Sequence, residues 1–343
     1  MKKILALVLS VMLLVAAGVS LAEDTVTIFS WDGYIDDEVL GAFEQETGIK
    51  VIWSSMDSVE NMLLKMSQGN TEDYDLILSS DYSLDIMRKA GMIQKIDKSL
   101  LSNYGNLDER FLNQKYDPDN EYVIPYVAGC PLIVYDPAQV SFEIKGYKDL
   151  WNPELKDSVA VLGSVRVLLG IALKSMGKSM NETDPAVLAE MKEKLMPLYE
   201  NIHVYGDTES YTAVATGESP VGFLFTPFVY LAQMEKPELV AVYPEEGLGY
   251  GIDGFVIPAG AKNAKNAHIL LDYLMRPEVA AHNAEYQCYM CVNKAAEACL
   301  SDEFKNSKVM NVPTELLTTA EFIEDVGETE TLYQEIFTAF MNQ

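Results

Sequence analysis

Residues 25–53 read TVTIFSWDGYIDDEVLGAFEQETGIKVIW, and the fold class follows from the pattern in this segment. Thr25–Phe29 is a β-branched, apolar run, which is typical of a strand. Asp36–Glu46 has the spacing of an amphipathic helix that stops at Gly48, and residues 49–53 form a second apolar run. A strand, a helix and a strand in this order predict a β-α-β unit, in which the two strands lie parallel.

The same alternation continues along the chain. Ser58–Ser67 is predicted as a helix, with Ser58 as its cap and Gly69 as its stop signal. Asp75–Leu78 follows as a third strand, and Leu84–Ala90 as a third helix. We therefore expect a parallel sheet covered by helices, a fold class that binds ligands at the carboxyl ends of its strands.

A second alternating block follows Pro125 and predicts a second sheet with its own helices. Strands are expected at Ser158–Leu162, His203–Tyr205, Val221–Phe225 and Leu239–Tyr243, and helices at Val165–Met176, Asp184–Glu200, Tyr211–Thr216 and Phe228–Met234. The apolar strand Tyr250–Pro258 comes next, with no loop-rich linker before it.

A chain of 343 residues is long enough for two lobes. The simplest path crosses from the first lobe to the second near residue 128 and returns near residue 252. Two crossings make a hinge, with a cleft between the lobes. We expect lobe 1 to contain residues 23–127 and 253–297, and lobe 2 to contain residues 128–252 and 298–343.

The first 22 residues have the pattern of a secretory signal. Lys2 and Lys3 precede the apolar run Ile4–Val19, which is too short for a membrane span, and small residues then occupy the positions of a cleavage site. We expect cleavage after Ala22. No cysteine lies near that point for lipid attachment, which favours release into a periplasm. A membrane anchor that stays in place is the alternative.

The net charge and the spacing of the reactive side chains limit which partners and activities the sequence favours. The net charge of −27 disfavours nucleic acid and anionic membranes as partners and is compatible with a cationic ligand. The three histidines match no metal spacing, and no catalytic motif is present. We therefore expect no metal, no cofactor and no enzymatic activity. A structural disulfide or free thiols are both open for the four cysteines, Cys130, Cys288, Cys291 and Cys299.

Short motifs at the predicted strand ends carry a resemblance to a known family. In chain order they are Phe29–Ile35, Asp75–Tyr82, Gly91–Asp97, Tyr122–Tyr126, Asp253–Pro258, Leu274–Ala280 and Asp325–Gly327. Together they resemble the bacterial spermidine/putrescine-binding proteins of ABC importers. The resemblance implies an α/β, two-lobed periplasmic-binding-protein fold (type II-like) with a ligand cleft between the lobes. It also implies docking to an ABC transporter permease in the inner membrane. We expect a monomer.

The resemblance also implies a ligand site. In this family aromatic rings stack along the methylene groups of a polyamine and attract its ammonium groups, which carboxylates then bind. Phe225 stands where the family usually has tryptophan, and three acids beside the family positions are candidate substitutes: Asp32, Asp81 and Asp207. The remaining candidate ligand-binding residues match family positions directly and are Trp31, Tyr34, Ser80, Tyr82, Asp253 and Tyr289.

Several family positions differ in this chain. Acids of the spermidine binders are replaced at Gly33, Ser164 and Val167, a cleft tryptophan is replaced at Gly251 beside Tyr250, and a glutamine is replaced at Ile323. A ligand with two charged ends needs a second carboxylate, because a buried, unpaired ammonium group costs several kcal/mol. We therefore expect putrescine or a similarly short organic cation rather than spermidine. A different small solute on the same fold, such as a monocationic or amino-acid-like compound, is the alternative. A sensor that presents its solute to a receptor is a third use of this scaffold.

Overall fold

The computed structural model describes residues 24–343, and the predicted signal segment, residues 1–22, lies outside this range. Within residues 24–343 the chain forms two β-sheets, each with helices packed against it. The α/β architecture that was expected from the sequence is therefore confirmed. The first sheet is built by the two ends of the described chain, and the second by its middle.

The strands are β1 (Thr25–Ser30), β2 (Lys50–Ser55), β3 (Leu76–Ser80), β4 (Ile93–Gln94), β5 (Ile124–Gly129), β6 (Pro131–Tyr135), β7 (Val159–Val161), β8 (Ile202–Tyr205), β9 (Val221–Phe225), β10 (Val240–Val242), β11 (Gly249–Pro258), β12 (Met290–Cys291) and β13 (Glu321–Phe322). The first sheet has the order β12-β5-β11-β3-β1-β2, and β4 and β13 pair with the ends of β11. The second sheet has the order β10-β6-β9-β7-β8.

The α-helices are α1 (Asp37–Thr47), α2 (Val59–Ser67), α3 (Asp81–Lys89), α4 (Val165–Ser175), α5 (Pro185–Leu195), α6 (Asp207–Thr216), α7 (Thr226–Glu235), α8 (Ala264–Leu274), α9 (Pro277–Gln287), α10 (Asp302–Asn306), α11 (Thr314–Thr318) and α12 (Glu330–Met341). Short 3₁₀ segments join several of them. None of the helices in the described chain combines the length and the apolar character that a bilayer crossing requires.

Strand pairing follows the predicted β-α-β pattern. β1 pairs in parallel with β2 and with β3, and β11 returns antiparallel to β3 and β5. In the second sheet, Leu132 and Val134 of β6 join one apolar cluster, whereas Ile133 and Tyr135 join another. Because successive side chains of a strand point to opposite faces, this sheet is buried on both sides.

Local capping explains where the first helices begin and end. The Asp36 carboxylate accepts a hydrogen bond of 3.0 Å from the Glu38 N–H at the start of α1. Gly48 ends this helix with a φ of 73°, a left-handed conformation that suits glycine. The predicted cap Ser58 is confirmed, since its Oγ accepts from the Asn61 N–H at 3.2 Å.

Three helices begin earlier than predicted. α3 starts at Asp81 rather than Leu84, α6 at Asp207 rather than Tyr211, and α7 at Thr226 rather than Phe228. Polar residues or proline fill each first turn, so the apolar period that marked the helix in the sequence starts only later. The correction matters because it places Asp81 and Asp207 in the first turn of a helix.

The predicted helix Asp184–Glu200 is shorter in the structure. It ends at Leu195, and a 3₁₀ segment, Met196–Asn201, continues to β8. Pro197 lies at the break, and proline cannot donate the backbone hydrogen bond that an α-helix needs.

The chain changes sheet at Cys130, between β5 and β6, and again between β10 and β11. The predicted crossings near residues 128 and 252 therefore fall inside strands of the first sheet. The turn residues that mark these changes of sheet are Gly129 and Pro131 at the first and Pro244–Gly247 at the second. The division into two lobes by residue range stays a prediction.

Candidate functional site

Four of the predicted site residues meet at one edge of the first sheet. Trp31 and Tyr34 follow β1, Asp253 lies in β11, and Tyr289 follows α9. The ring centroids of Trp31 and Tyr34 are 5.0 Å apart, and those of Tyr34 and Tyr289 are 6.3 Å apart. The Tyr34 hydroxyl donates a hydrogen bond of 2.8 Å to Oδ2 of Asp253. We call these four residues the Asp253 cluster.

Strand register brings Asp253 to this edge. β11 runs antiparallel to β3, and Asp253 pairs with Ser80, the last residue of β3. The first half of β11 therefore lies where the parallel strands β1 and β3 end, which is the usual ligand edge of such a sheet. The register against β5 shifts between Asp253 and Gly254, and irregularities of this kind redirect a side chain from its regular position.

The electrostatics of the cluster favour a cation. Burial raises the pKa of the Asp253 carboxyl to about 6, and the hydrogen bond from Tyr34 opposes this rise. Burial, followed by the charge of Asp253, raises the pKa of Tyr34, which keeps its hydroxyl a donor. At neutral pH most of the Asp253 carboxyls are therefore ionised. A carboxylate beside aromatic rings can bind an ammonium group by a hydrogen bond and by cation–π attraction.

Strand β5 holds two of the rings in place. A Cβ atom on Gly129 would lie 2.9 Å from Cε1 of Tyr289, so the ring packs directly on a backbone without a side chain. The Tyr126 hydroxyl donates to the Tyr34 carbonyl at 2.8 Å. Neither Tyr126 nor Gly129 was among the predicted site residues, although Tyr126 ends the motif Tyr122–Tyr126. The available signal for a role in the site was their position, in a strand that ends just before the chain crosses to the other sheet.

Asp81 was predicted as a ligand-binding acid, but both of its carboxylate oxygens accept hydrogen bonds from the backbone. It is buried at the start of α3, where Oδ1 accepts from the Tyr82 N–H at 2.7 Å and Oδ2 from the Ile252 N–H at 3.1 Å. These bonds tie α3 to β11. Burial raises the pKa of Asp81 to about 8, and the charge of Asp253 adds to this, whereas the two backbone donors oppose it.

Three further candidates, Asp32, Ser80 and Tyr82, lie at or after strands of the first sheet and make their hydrogen bonds outside the cluster. Asp32 is exposed and accepts a hydrogen bond of 2.5 Å from Ser55 Oγ. Tyr82 is half-buried, and its hydroxyl donates to Glu60 Oε1 at 3.4 Å. Ser80 accepts a bond from Ser83 Oγ through its carbonyl, not through its side chain.

Two candidates belong to the second sheet. Asp207 begins α6, and its Oδ1 accepts from the Gly163 N–H at 2.8 Å. Its charge contributes to the raised pKa of Tyr289, after burial and the charge of Asp253, so it lies within electrostatic range of the cluster. Phe225 ends β9, half-buried and opposite Pro131 of β6.

The four cysteines are free thiols in the structure. Cys130 is fully buried at the crossing between the sheets, and burial raises its thiol pKa to about 12. A thiol with so high a pKa is unreactive. The sequence left a disulfide and free thiols open, and the structure has free thiols.

Comparison with known proteins identifies relatives over almost the whole chain. The family of bacterial extracellular solute-binding proteins matches residues 38–311. The spermidine/putrescine-binding periplasmic protein of Salmonella typhimurium is 36% identical over 327 residues, which cover 94% of each chain. The putrescine-binding periplasmic protein PotF of Escherichia coli is 30% identical over 331 residues, covering 90% of this chain and 89% of that protein.

A solved structure agrees with these matches. The spermidine/putrescine ABC transporter substrate-binding protein PotD of Streptococcus pneumoniae superposes with a TM-score of 0.83 at 32% sequence identity. The match covers 93% of this chain and 99% of that one. The resemblance that was inferred from short motifs is therefore confirmed by both sequence and fold.

Proposed function

This chain belongs to the bacterial extracellular solute-binding proteins, which are not enzymes, and we propose that it captures a polyamine for an ABC importer. The observation that carries the proposal is the Asp253 cluster, in which a carboxylate lies among three aromatic rings. The names of the relatives and the charge of this site favour the same class of ligand.

Binding follows from ordinary forces. One ammonium group of the ligand binds Asp253, a charge-assisted hydrogen bond of about 1.5–3 kcal/mol. Trp31, Tyr34 and Tyr289 present ring faces that attract the cation by about 0.5–2 kcal/mol each. Their apolar surface also covers the methylene chain. The bond from Tyr34 holds the carboxylate in one orientation before the ligand arrives, so little ordering is needed on binding.

We favour putrescine or a similarly short cation over spermidine. Gly33, Ser164 and Val167 supply no charge at the positions where the resemblance predicts further acids. A longer polyamine would therefore bury an additional ammonium group without a carboxylate, at a cost of several kcal/mol. The alternative ligand is a monocation or an amino-acid-like compound, which needs only one carboxylate.

Export and delivery complete the proposal. The chain is secreted with cleavage after Ala22 and works in the periplasm, as the names of its relatives indicate for them. It acts as a monomer and passes its ligand to the permease of an ABC transporter in the inner membrane. Metals, cofactors and nucleic acid have no part in this function.

A calorimetric titration tests the proposal, with putrescine, cadaverine, spermidine, spermine and a monoamine as ligands. We expect tight binding of a short diamine, and a loss of affinity of about a hundredfold in Asp253→Asn. The matched control is Asp302→Asn, because the Asp302 side chain is 96% exposed in α10 and should not affect affinity. If no polyamine binds while an uncharged sugar does, the proposed function is wrong.

A further inference from the structure

A cavity of about 180 Å³ lies between α3 and the chain segment that follows β13. Its walls include Asp81, Tyr82, Asp85, Tyr116 and Phe322. This volume is well above the roughly 15 Å³ that a single water molecule needs. The cavity can therefore hold a small organic group.

Asp81 joins the cavity to the site described above. Its Oδ2 accepts from the N–H of Ile252, the residue before Asp253. The nearest heavy atom to a Cβ on Gly251 would be this same oxygen, at 3.8 Å. Because residue 251 has no side chain, the space beside the Asp81 carboxylate stays open.

Tyr116, in the wall of this cavity, has an unpaired hydroxyl group within the described chain. Its side chain is only 7% exposed, and its hydroxyl has no hydrogen-bond partner among residues 24–343. Buried hydroxyl groups are nearly always satisfied, because leaving one unpaired is costly. A polar ligand group in the cavity would provide the missing hydrogen bond.

The carboxyl groups that line the cavity outnumber its bases by four to three: Asp81, Asp85, Glu324 and Asp325 against Arg88, Lys89 and Lys115. Arg88 and Lys89 share Asp85, at 2.9 Å and 2.7 Å. Lys115 contacts Glu324 at 2.7 Å. With every carboxyl group ionised, the lining therefore has one more acid than base, and the cavity favours a cation.

Among these acids, Asp81 has a side chain that is 4% exposed and has no cationic contact in the described part of the chain. Burial raises its pKa to about 8, and the charges of Asp253 from β11 and Asp85 from α3 add to this against the two backbone donors. The other titratable groups that face it are the hydroxyls of Tyr82, Tyr116 and Tyr250.

We propose that this cavity is the subsite for the second ammonium group of a diamine, with Asp81 and the Tyr116 hydroxyl as its hydrogen-bond partners. The inference rests on the proposed function. It assigns the acid that replaces those missing at Gly33, Ser164 and Val167. One ammonium group binds at Asp253, the other at Asp81, and the closeness of the two carboxylates limits the ligand to a short chain.

Capture is then linked to a proton. In the ligand-free protein at pH 7 the Asp81 carboxyl keeps its proton, since its pKa lies near 8. The arriving ammonium group needs the carboxylate, so the carboxyl O–H bond breaks and the proton passes to the buffer. Asp253 contributes little to this release at pH 7, because its pKa of about 6 leaves most of it ionised already.

Titration of putrescine at pH 7 in phosphate and in Tris measures both the affinity and the proton release. We expect about one proton released by the native protein. Asp81→Asn should abolish the release and weaken binding by about a hundredfold. Its amide oxygen can still accept from the backbone, and the circular dichroism spectrum checks that the variant folds.

Tyr116→Phe removes only a hydroxyl that has no partner in the protein, so it should fold normally and bind about tenfold more weakly. Tyr104→Phe is the matched control, because the Tyr104 hydroxyl is also buried without a partner but lies in another part of the first lobe. This control should bind like the native protein.

The outcomes separate the two proposals. Native affinity in both Asp81→Asn and Tyr116→Phe would overturn the subsite while leaving the proposed function intact. Absence of binding of every polyamine tested to the native protein would overturn the proposed function itself. Binding of 4-aminobutyrate in preference to putrescine, lost in Arg88→Gln, would assign the cavity to a carboxylate and so contradict the inference.

Discussion

In the proposed binding site, recognition of charge depends on the bond between Tyr34 and Asp253. It stabilises the ionised carboxylate in a buried environment that otherwise favours the protonated form. The same tyrosine supplies one of the ring faces of the cluster. Its hydroxyl and its ring therefore have separate roles, which a single substitution can distinguish.

Tyr34→Phe keeps the ring and removes the hydroxyl. We expect the pKa of Asp253 to rise above about 6, because the bond that lowers it is lost. Ligand affinity, which needs the ionised form, should then fall about tenfold at pH 7 and fall further towards pH 6. Calorimetric titrations from pH 6 to pH 8 measure this dependence.

The sign of the pH effect is the informative part of that experiment. In the native protein, affinity should decline in two stages as the pH falls, through the pKa of Asp81 near 8 and then that of Asp253 near 6, and in Tyr34→Phe the second decline should begin at a higher pH. An equal loss of affinity at every pH would mean that the Tyr34 hydroxyl contributes to binding without affecting the pKa of Asp253. Tyr104→Phe again serves as the control.

At the scale of elements, β5 sets the position of the aromatic rings. Its last residue, Gly129, lies directly under Tyr289, and Tyr126 holds the loop that carries Tyr34. β5 pairs with β11 on one side and with β12 on the other, so it cannot shift easily to make room. The ring must move instead if a side chain is added at 129.

Gly129→Ala should therefore displace Tyr289 from the cluster. The added Cβ would lie 2.9 Å from Cε1 and 3.0 Å from Cδ1 of the ring, closer than normal contact. Loss of one cation–π partner predicts an affinity between about twofold and thirtyfold weaker. Titration with putrescine measures the loss, and a crystal structure of the variant locates the ring.

Gly41→Ala is the matched control for this change. Gly41 lies inside α1, and a Cβ there would meet nothing within 4 Å. Alanine in a helix is more stable than glycine by about 0.5–1 kcal/mol, so this variant should melt later and bind normally. Equal affinity in Gly129→Ala and Gly41→Ala would exclude Tyr289 from ligand binding.

At the scale of the molecule, the described chain connects the two sheets at three places. Two are the crossings between β5 and β6 and between β10 and β11, and the third is the segment that contains β13. β13 pairs in parallel with the start of β11, with Glu321 opposite Gly249. The Glu321 carboxylate accepts from Lys174 Nζ of α4 at 2.5 Å and from the Met180 N–H at 2.9 Å. This segment therefore ties α4, which packs on the second sheet, to β11 of the first sheet.

Glu321→Gln should weaken this connection. Lys174 is only 8% exposed and would be left as a buried charge without a carboxylate. Removing one partner of a buried ion pair costs about 3–5 kcal/mol of unfolding free energy. Because Glu321 is partly exposed, we expect a smaller loss here, of about 2–3 kcal/mol. Urea unfolding measures the change, with Glu200→Gln, from a pair exposed on both sides, as the control.

The same pair predicts an acid-sensitive stability. Burial raises the pKa of Glu321, but hydrogen bonds from Lys174, Ser179 and Met180 outweigh burial and lower it below its ordinary value. A lowered pKa contributes stability above the unfolded-state pKa and loses it as the pH falls through the folded-state pKa. The difference between native and Glu321→Gln protein should therefore shrink in acid, and a constant difference would contradict this account.

The elements were the most predictable part of the fold. The strand at Val221–Phe225, the helix starting at Val165 and the caps Ser58 and Gly48 were all predicted correctly, because each has a local signal. The start of α3 at Asp81 was predicted wrongly, since a helix whose first turn is polar shows no apolar period there.

Within the candidate site, the sequence indicated which residues to consider, but it did not indicate how buried they are or which groups they contact. The motifs after β1 and within β11 indicated Trp31, Tyr34 and Asp253 before any contact was known. Nothing local distinguished the exposed Asp32 from the buried Asp81, because both are acids beside a strand end. Tyr116 had no motif at all, and only packing leaves its hydroxyl without a partner.

The order of amino acids alone was sufficient to predict the α/β class and the family, and it led to the proposal of a cationic ligand. These properties depend on periodicity, caps and short motifs, which neighbouring residues encode. The partner of each acid, the ring that rests on Gly129 and the cavity beside Asp81 required the folded molecule. They depend on residues that are distant in the chain. Tyr34 and Asp253, for example, are 219 positions apart, and the antiparallel return of β11 brings them together.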